Sequence, residues 1–401
     1  HNTEAVDVEA VVNDADPPLA KTEHHNKNSI AFVRNVPWKT GDLLIQKELA
    51  ETLKRIQKLG QKGFYEGKTA ELLVAEMKKG NGIITPEDLR NYTAVERKAL
   101  EFDYKGTRVV SMPLPSSGGI LLAQMLKMAS YENLEKYQQN SVKAVQVMVE
   151  AERRAYADRA EYMGDPGFIQ DKTSYLISDE YLRNRWKNFS FSKATPSSKV
   201  GKIIKQSKES TETTHISVID KEGNAAAVTT TLNGLYGSKV VVSGAGFFLN
   251  NEMDDFSIKP GVPNMFGAVG GEANSIQPNK RMLSSMTPTI VLKNGKPYMV
   301  VGTPGGTTIP TSVYQSIVNI IDFKLNVNLS VNAPKFHHQW LPETVAFEKN
   351  FPETTIKEIG KLGYKAEKWG QIGRTEMILI DDEGNIHAVA DGRGDDSVAV
   401  E

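Results

Sequence analysis

Apolar residues that recur every three or four positions, the spacing of one helix face, dominate the first half of the chain. The helices that this spacing predicts run from Asp42 to Gly60, near Ala70–Lys79, from Thr85-Pro86 onward, near Gly119–Ala129 and over Ser141–Tyr162. We expect Asp42 to cap the first of these helices, because a side-chain oxygen there can accept from the free N–H groups of the first turn.

Alternation of apolar and polar residues, the pattern of half-buried strands, marks one hairpin early in the chain and dominates the second half. The predicted strand pairs are Leu100–Tyr104 with Arg108–Met112, residues 216–218 with Ala225–Leu232, Thr287–Leu292 with Tyr298–Gly302, and Met377–Ile380 with Ile386–Ala390. A helix with one apolar face is expected over residues 309–321. Helices and hairpins together predict an α+β or layered sandwich fold in which both halves of the chain contribute to one core.

The composition removes several classes of function. With 401 residues and 39% hydrophobic content the chain can bury a sizeable core. Its 48 basic and 49 acidic residues leave a net charge of -1, which gives no electrostatic case for binding nucleic acid. The absence of cysteine excludes disulfides, thiolate metal sites and a cysteine nucleophile. No apolar run reaches the roughly 18 residues of a membrane span, and the polar start at His1 predicts no signal peptide.

Thr213 stands where a polar stretch rich in Lys, Ser and Thr, residues 193–212, meets a predicted strand. The ordinary interpretation is a β-branched residue that begins a strand after a linker. A catalytic interpretation needs a base, because a threonine hydroxyl is a poor nucleophile by itself. If the peptide bond before Thr213 is cut, its own α-amine, with an ordinary pKa of about 7.7–8.0, can supply that base.

Two other hydroxyl-bearing segments could assist such a nucleophile. Thr229-Thr230-Thr231 lies on the strand that returns beside Thr213, where a hydroxyl could hydrogen-bond the nucleophile, although threonine is also a common strand residue. Ser284 and Ser285 stand between apolar residues, where their hydroxyls need partners.

An acidic turn and a glycine pair complete the candidate chemistry. Glu252 and Asp255 belong to a turn with three carboxylates in four positions, which is either solvated or neutralised by a cation such as a substrate ammonium. Gly305-Gly306 precedes a predicted helix and would let backbone N–H groups approach an oxyanion closely. Phosphate binding is the competing interpretation, but the lysine of a phosphate-binding loop is missing.

Together these segments resemble the γ-glutamyltranspeptidase family over roughly residues 30–401. The segments that carry the resemblance, in family order, are Pro113–Gly119, Tyr156–Arg159, Gly164–Pro166, Thr213–Val218, Leu249–Phe256, Lys280–Thr289, Pro304–Gly306 and Phe336–Pro342.

The resemblance implies maturation by self-cleavage and a specific reaction. Members of that family are precursors that cut themselves into a large and a small subunit, which stay together in a four-layer αββα sandwich of the N-terminal-nucleophile hydrolase type. The cut is expected between Glu212 and Thr213. Thr213 would then attack the γ-amide of a γ-glutamyl donor, usually glutathione. Water, an amino acid or a dipeptide would release the acyl-enzyme, and no metal or cofactor is expected.

The resemblance also assigns roles to the groups around the nucleophile. The groups expected to act on the reacting atoms are Thr231, which would orient Thr213, and the N–H groups of Gly305 and Gly306, which would hold the oxyanion. The groups expected to bind the substrate are Asn233, Glu252 and Asp255 for its α-ammonium, and Ser284 and Ser285 for its α-carboxylate. Phe266 occupies a lid position where a tyrosine is expected, so the hydrogen bond of that tyrosine would be missing.

The resemblance divides the chain into segments. Residues 1–29 are expected to be an irregular lead-in without a family match, 30–212 the C-terminal part of the large subunit, and 213–401 the small catalytic subunit, with 30–401 sharing one core. The large subunit of the family begins further upstream and carries an arginine that pairs with the substrate carboxylate. Part of the large subunit is therefore expected to be lacking here. Bacterial members are usually exported, so a periplasmic or secreted location is expected.

Three alternatives stay open at this stage. The first is an acylase of the same architecture acting on glutaryl-type (cephalosporin) side chains, although such substrates lack the ammonium that Glu252 and Asp255 would bind. The second is an inactive truncated remnant. The third is a catalytic triad built on His215, His337 or His338, which an N-terminal base makes unnecessary.

Overall fold

The computed structural model describes residues 30–201, 213–257, 259, 262 and 270–400. The chain divides into two compact units, His1–Glu96 with Gly234–Asn251, and Arg97–Asn233 with Glu252–Glu401. The expected cut before Thr213 falls inside the second unit, and the division into a large and a small subunit stays a prediction. The expectations for residues 1–29, Glu212 and Phe266 lie outside the described residues.

The first unit contains four helices among its described residues. Its helices are α1 (Lys47–Leu59), α2 (Lys62–Tyr65), α3 (Gly67–Lys79) and α4 (Pro86–Asn91). Its buried core is formed by Ala70, Leu73, Val74, Leu89, Val242 and Ala245. Thr85 and Asp88 form a reciprocal capping box at the start of α4, which confirms the helix start predicted there.

The helix predicted from Asp42 begins at Lys47, so the prediction that Asp42 caps it was wrong. Asp42 accepts instead from the backbone N–H of Lys39, at 2.8 Å, and from the guanidinium of Arg34. A short carboxylate binds nearby backbone groups in turns as readily as at a helix start, so the polar residue alone did not distinguish the two.

The second unit is built around a six-stranded antiparallel sheet with the strand order β1-β2-β5-β6-β10-β11. The strands of the second unit are β1 (Leu100–Tyr104), β2 (Thr107–Ser111), β3 (Thr214–Ile219), β4 (Ala225–Thr230), β5 (Thr289–Lys293), β6 (Lys296–Gly302), β7 (Phe336–His337), β8 (Thr344–Glu348), β9 (Lys365–Trp369), β10 (Glu376–Ile380) and β11 (Ile386–Val389). All four hairpins predicted from the alternation are present.

Helices cover one face of this sheet. The helices of the second unit are α5 (Gly118–Ser130), α6 (Val142–Tyr162), α7 (Thr173–Leu176), α8 (Asp179–Trp186), α9 (Ile309–Ile321), α10 (Val327–Asn332) and α11 (Glu353–Lys361). Their apolar sides share one core with the sheet, in which Leu126 and Val149 lie before the expected cut and Val301 and Ile317 after it. Among the described residues, no helix combines the length and apolar character needed to cross a membrane.

The β3–β4 hairpin packs on the opposite face of the six-stranded sheet. The buried imidazole of His215 on β3 lies directly over Gly302 on β6, where a Cβ atom would overlap the ring. Helices, sheet and hairpin therefore form successive layers, as the sandwich prediction required. The hairpin register pairs Thr214 with Thr230, so Thr213 and Thr231 lie opposite each other one residue further on.

A third sheet was not predicted from the sequence. Strand β8 pairs antiparallel with β7 and parallel with β9. Strand β7 has only two residues, and β9 is exposed along most of its length. Neither strand therefore carries the apolar alternation that reveals a half-buried strand.

Candidate active site

A cleft in the second unit opens beside Thr213. Its walls are formed by Arg159, Thr213, Thr231, Asn233, Asp255, Ser284, Ser285, Met286, Gly306, Thr307 and Ile309. Most of the groups named from the sequence are thus brought together from segments far apart in the chain. Among the described members of that set, Glu252 and Gly305 do not line the cleft, and each adjoins a segment that does.

Thr213 and Thr231 face each other across the end of the hairpin. The Thr213 hydroxyl lies 3.5 Å from the Thr231 hydroxyl, as the pairing register requires. The Thr231 oxygen also accepts from the backbone N–H of Asn233, at 2.8 Å. Asn233 itself is buried and adopts a positive φ of 73°, in the left-handed region that asparagine enters more readily than most residues.

The segment that contains Ser284 and Ser285 is clamped by the turn that precedes α5. The backbone N–H of Ser284 donates to the Pro115 carbonyl at 2.9 Å, and its own carbonyl accepts from the N–H of Ser117 at 2.8 Å. Ser116 donates its hydroxyl to the Met286 carbonyl at 2.6 Å. Backbone atoms are therefore fixed on both sides of the two serines.

Arg159 is a functional candidate that sequence reasoning did not single out. It lies on α6, is buried, and donates to the Ser117 hydroxyl at 3.1 Å and to the Ser285 hydroxyl at 3.2 Å. Burial raises the pKa of Asp255, and the positive charge of Arg159 nearby opposes part of that rise. The Tyr156–Arg159 segment was noted only as part of the family resemblance, because the approach of the helix to residues more than a hundred positions away leaves no local pattern.

The acidic turn brings two carboxyls with altered pKa values to the cleft. Burial raises the pKa of Asp255 to about 7, assisted by the nearby Glu252 carboxylate, and burial raises the pKa of Glu252 to about 7. Asn274 ties this turn to the serine segment, since its amide donates to the Asp255 carbonyl at 2.6 Å and its oxygen accepts from the Leu283 N–H at 3.0 Å. A cation bound here would find two carboxyls that ionise near neutral pH.

The turn of Gly305, Gly306 and Thr307, here called the glycine turn, joins β6 to α9. Gly305 and Gly306 have φ values of 137° and 55°, and a Cβ atom on Gly305 would overlap the Thr308 hydroxyl. Only glycine adopts the Gly305 conformation without strain. The turn carries Gly306 and Thr307 into the wall of the cleft.

The three histidines have other partners than the Thr213 hydroxyl. His215 contacts the Thr229 and Ser217 hydroxyls at 2.8 and 3.1 Å. Burial lowers the pKa of His215 and of His337 to about 4, and lowers that of His338 well below its usual range. They are therefore neutral side chains of the core at neutral pH. Among the described residues, no three His, Cys, Asp or Glu side chains are grouped to hold a metal ion.

The arrangement of helices, sheet and hairpin is that of the N-terminal-nucleophile hydrolases. The chain superimposes on the cephalosporin acylase from Bacillus halodurans with a TM-score of 0.77, over 97% of this chain and 68% of that one. The two sequences are 23% identical, so this likeness establishes the fold alone.

The chain belongs to the γ-glutamyltranspeptidase family, whose model matches residues 7–401. It is 45% identical to the glutathione hydrolase proenzyme of Escherichia coli (strain K12), over 97% of this chain and 68% of that protein. It is 42% identical to the glutathione hydrolase proenzyme of Pseudomonas sp. (strain A14), over 86% of this chain and 59% of that protein. The chain thus spans about two thirds of the length of these relatives.

The family match begins earlier than the sequence suggested. It reaches residue 7, whereas residues 1–29 were expected to lie outside the family pattern. That expectation was wrong for residues 7–29 because the segment is polar and lacks a hydrophobic period, so only a comparison of residue identities could place it.

Proposed function

We propose that this protein is a γ-glutamyl hydrolase and transpeptidase that cleaves the γ-glutamyl amide of glutathione and related compounds. The observation that carries the proposal is one cleft that holds the Thr213 hydroxyl against Thr231 and is also lined by Asp255, Ser284 and Ser285. A zwitterionic substrate head requires acceptors for its ammonium and donors for its carboxylate. The names of the relatives, glutathione hydrolase proenzyme, agree with this chemistry.

The reaction proceeds through an ester on Thr213. The free α-amine of Thr213 takes the hydroxyl proton as the oxygen attacks the γ-carbonyl carbon. The carbonyl oxygen becomes an oxyanion that the N–H groups of Gly305 and Gly306 stabilise. When the C–N bond breaks, the leaving amine takes the proton back from the α-ammonium. Water or the amino group of an acceptor then attacks the ester and releases free or transferred glutamyl product.

Recognition of the substrate head uses two sets of groups in and beside the cleft. Asp255, with Glu252 beside it and Asn233, accepts hydrogen bonds from the α-ammonium. Ser284 and Ser285 donate to the α-carboxylate, and the Arg159 charge behind Ser285 favours an anion there. Thr231 orients the nucleophile through the 3.5 Å contact between the two hydroxyls.

The nucleophile becomes competent only after self-cleavage between Glu212 and Thr213, because the amine is otherwise part of an amide. The chain therefore behaves as a zymogen that yields a large-subunit fragment and a small subunit beginning at residue 213. The word proenzyme in the names of the relatives supports this processing. Export to the periplasm or the medium is the location we propose.

Replacing Thr213 by Ala tests the proposal at its centre. We expect the variant to remain uncut on a denaturing gel and to lose γ-glutamyl anilide hydrolysis, because both steps need the same hydroxyl. Thr214→Ala is the matched control, since Thr214 is an exposed neighbour and its loss leaves the nucleophile in place. N-terminal sequencing of the wild-type fragments should read Thr213-Thr214-His215.

Two results would contradict this proposal. A processed and active Thr213→Ala protein would show that another group is the nucleophile. A wild-type chain that stays intact and inactive after long incubation would favour the inactive remnant.

A glutaryl-type acylase is the second candidate, and the shared fold with a cephalosporin acylase is the observation that keeps it in view. A glutaryl group lacks the α-ammonium, so Glu252 and Asp255 would be buried beside it without a cation. We therefore expect γ-glutamyl anilide to be cleaved far faster than glutaryl anilide, and the opposite order would establish the acylase.

A further inference from the structure

The glycine turn is held by hydrogen bonds to buried side chains. The carbonyl of Thr307 accepts a hydrogen bond from the hydroxyl of Tyr156 on α6. The hydroxyl of Thr307 donates to the side-chain oxygen of Gln339, at 2.5 Å. The last residue of the turn is thus held through its main chain and its side chain by two segments that lie far from it in the sequence.

His337 extends this network to α9. Its Nε2 lies 2.8 Å from the Gln339 oxygen, and its Nδ1 lies 2.9 Å from the Thr311 hydroxyl. Since an amide oxygen only accepts, Nε2 carries the hydrogen, and the Thr311 hydroxyl beside Nδ1 also lies 3.0 Å from the Thr308 carbonyl. The Tyr156 ring meets the imidazole edge to face, with ring centroids 5.7 Å apart.

Burial makes this arrangement stiff. Tyr156, Thr307, His337 and Gln339 are each at most 6% exposed. Burial lowers the pKa of His337 to about 4, so the ring stays neutral and keeps one tautomer across the neutral pH range. In a low-dielectric interior an unpaired polar group is costly, so alternative arrangements of the turn are disfavoured.

We propose that Tyr156, His337 and Gln339 are positioning residues that hold the glycine turn in the geometry its amides need. The proposal rests on the proposed function, in which the Gly305 and Gly306 N–H groups face the oxyanion. Preorganised donors lower the barrier because they need no reorientation when charge develops. The three side chains act through the turn and do not contact the substrate head, which binds at Asp255 and the serines.

Tyr156→Phe is the test, because it removes one hydroxyl and keeps the ring against His337. We expect kcat for a γ-glutamyl anilide to fall by about tenfold, a tenth or less of the loss that removal of a whole oxyanion donor causes, with KM within twofold of the wild type. Thr311→Val, which removes the hydroxyl partner of His337, should give a smaller loss of kcat with the same unchanged KM. Tyr314→Phe is the matched control, since the hydroxyl of this fully buried tyrosine on α9 has no hydrogen-bond partner among the described residues.

Hydrogen exchange tests the positioning role without depending on turnover of a substrate. The Thr308 amide donates to the Gly305 carbonyl at 2.9 Å and reports on the turn. It should exchange faster in Tyr156→Phe and at the wild-type rate in Tyr314→Phe. Unchanged exchange together with an unchanged kcat, or a change of KM as large as that of kcat, would overturn the proposal. If the wild-type protein does not turn over γ-glutamyl substrates, but the Thr308 amide still exchanges faster in Tyr156→Phe, the positioning role stands and the proposed reaction is rejected.

Discussion

Asp255 is a residue whose surroundings disfavour the ionised form that the proposed reaction needs. Its carboxyl lies in the cleft wall with its pKa raised to about 7, near the carboxyls of Glu252 and Asp254, and the Arg159 charge acts in the opposite direction. A carboxyl in such a place is costly to ionise unless a cation arrives. The substrate ammonium is that cation in the proposed reaction.

Asp255→Asn should raise KM for a γ-glutamyl anilide by roughly ten- to a hundredfold, because a charge-assisted hydrogen bond of about 1.5–3 kcal/mol is lost. Asp254→Asn removes the same charge one position away, outside the cleft wall, and should leave KM within about twofold. Steady-state kinetics at one pH decides between them. Equal effects of the two substitutions would mean that only the net charge of the turn matters.

The sign of the pH dependence follows from the same pKa. Below pH 7 the empty site keeps Asp255 protonated, and an ammonium prefers the ionised form. KM for the donor should therefore fall as the pH rises through about 7. In Asp255→Asn this part of the profile should become shallower, because Glu252 is then the one of the two carboxyls that still ionises near pH 7. A KM that rises with pH through this range would contradict the assignment.

Regular elements of this fold were predictable from the sequence, and the contacts between them were not. The 309–321 helix and the four hairpins follow from hydrophobic spacing, although the helix is buried along its whole length and Ile216 and Val218 of the β3–β4 hairpin are exposed. The Thr213–Thr231 contact follows from hairpin register. In contrast, Arg159 reaches Ser285 because α6 passes behind the serine segment, and nothing local to either residue encodes that approach.

The closeness of β3 to the central sheet depends on Gly302, over which the His215 ring lies. Gly302→Ala should destabilise the second unit by about 1–3 kcal/mol, because the added methyl group overpacks a ring held by Thr229 and Ser217. Displacement of β3 should also lower kcat. Gly360→Ala is the control, since a Cβ atom there meets nothing within 4 Å. Denaturant titration and turnover measure the two effects, and equal stability of both variants would contradict this packing.

A buried charge network ties the C-terminal segment to the rest of the second unit. Arg393 donates to both carboxylate oxygens of Glu348, each at 2.7 Å, and also pairs with Asp391 at 2.9 Å. Lys335 reaches Asp391 at 3.4 Å, and burial lowers the pKa of Lys335 to about 8. Two acids and two bases thus neutralise each other where water is largely excluded.

Arg393→Met should lower the free energy of unfolding by about 3–5 kcal/mol, because it leaves the Glu348 carboxylate buried without its main partner. Lys361→Met breaks the exposed pair with Glu358 and should cost about 0–1 kcal/mol. Denaturant unfolding followed by tryptophan fluorescence compares the two. Similar costs would show that the Arg393 network is as weakly coupled to folding as a surface ion pair.

The shared core of the second unit determines how the processed protein should unfold and reassemble. Leu126 and Val149 are packed among Val301 and Ile317, on either side of the proposed scission point. Once the backbone is cut, noncovalent contacts of this kind hold two polypeptides together, and reassembly after melting becomes a second-order encounter. Dilution should therefore lower the midpoint of thermal unfolding for the processed form but leave it unchanged for an uncut chain. A maturation step that creates the nucleophile would also make unfolding far harder to reverse.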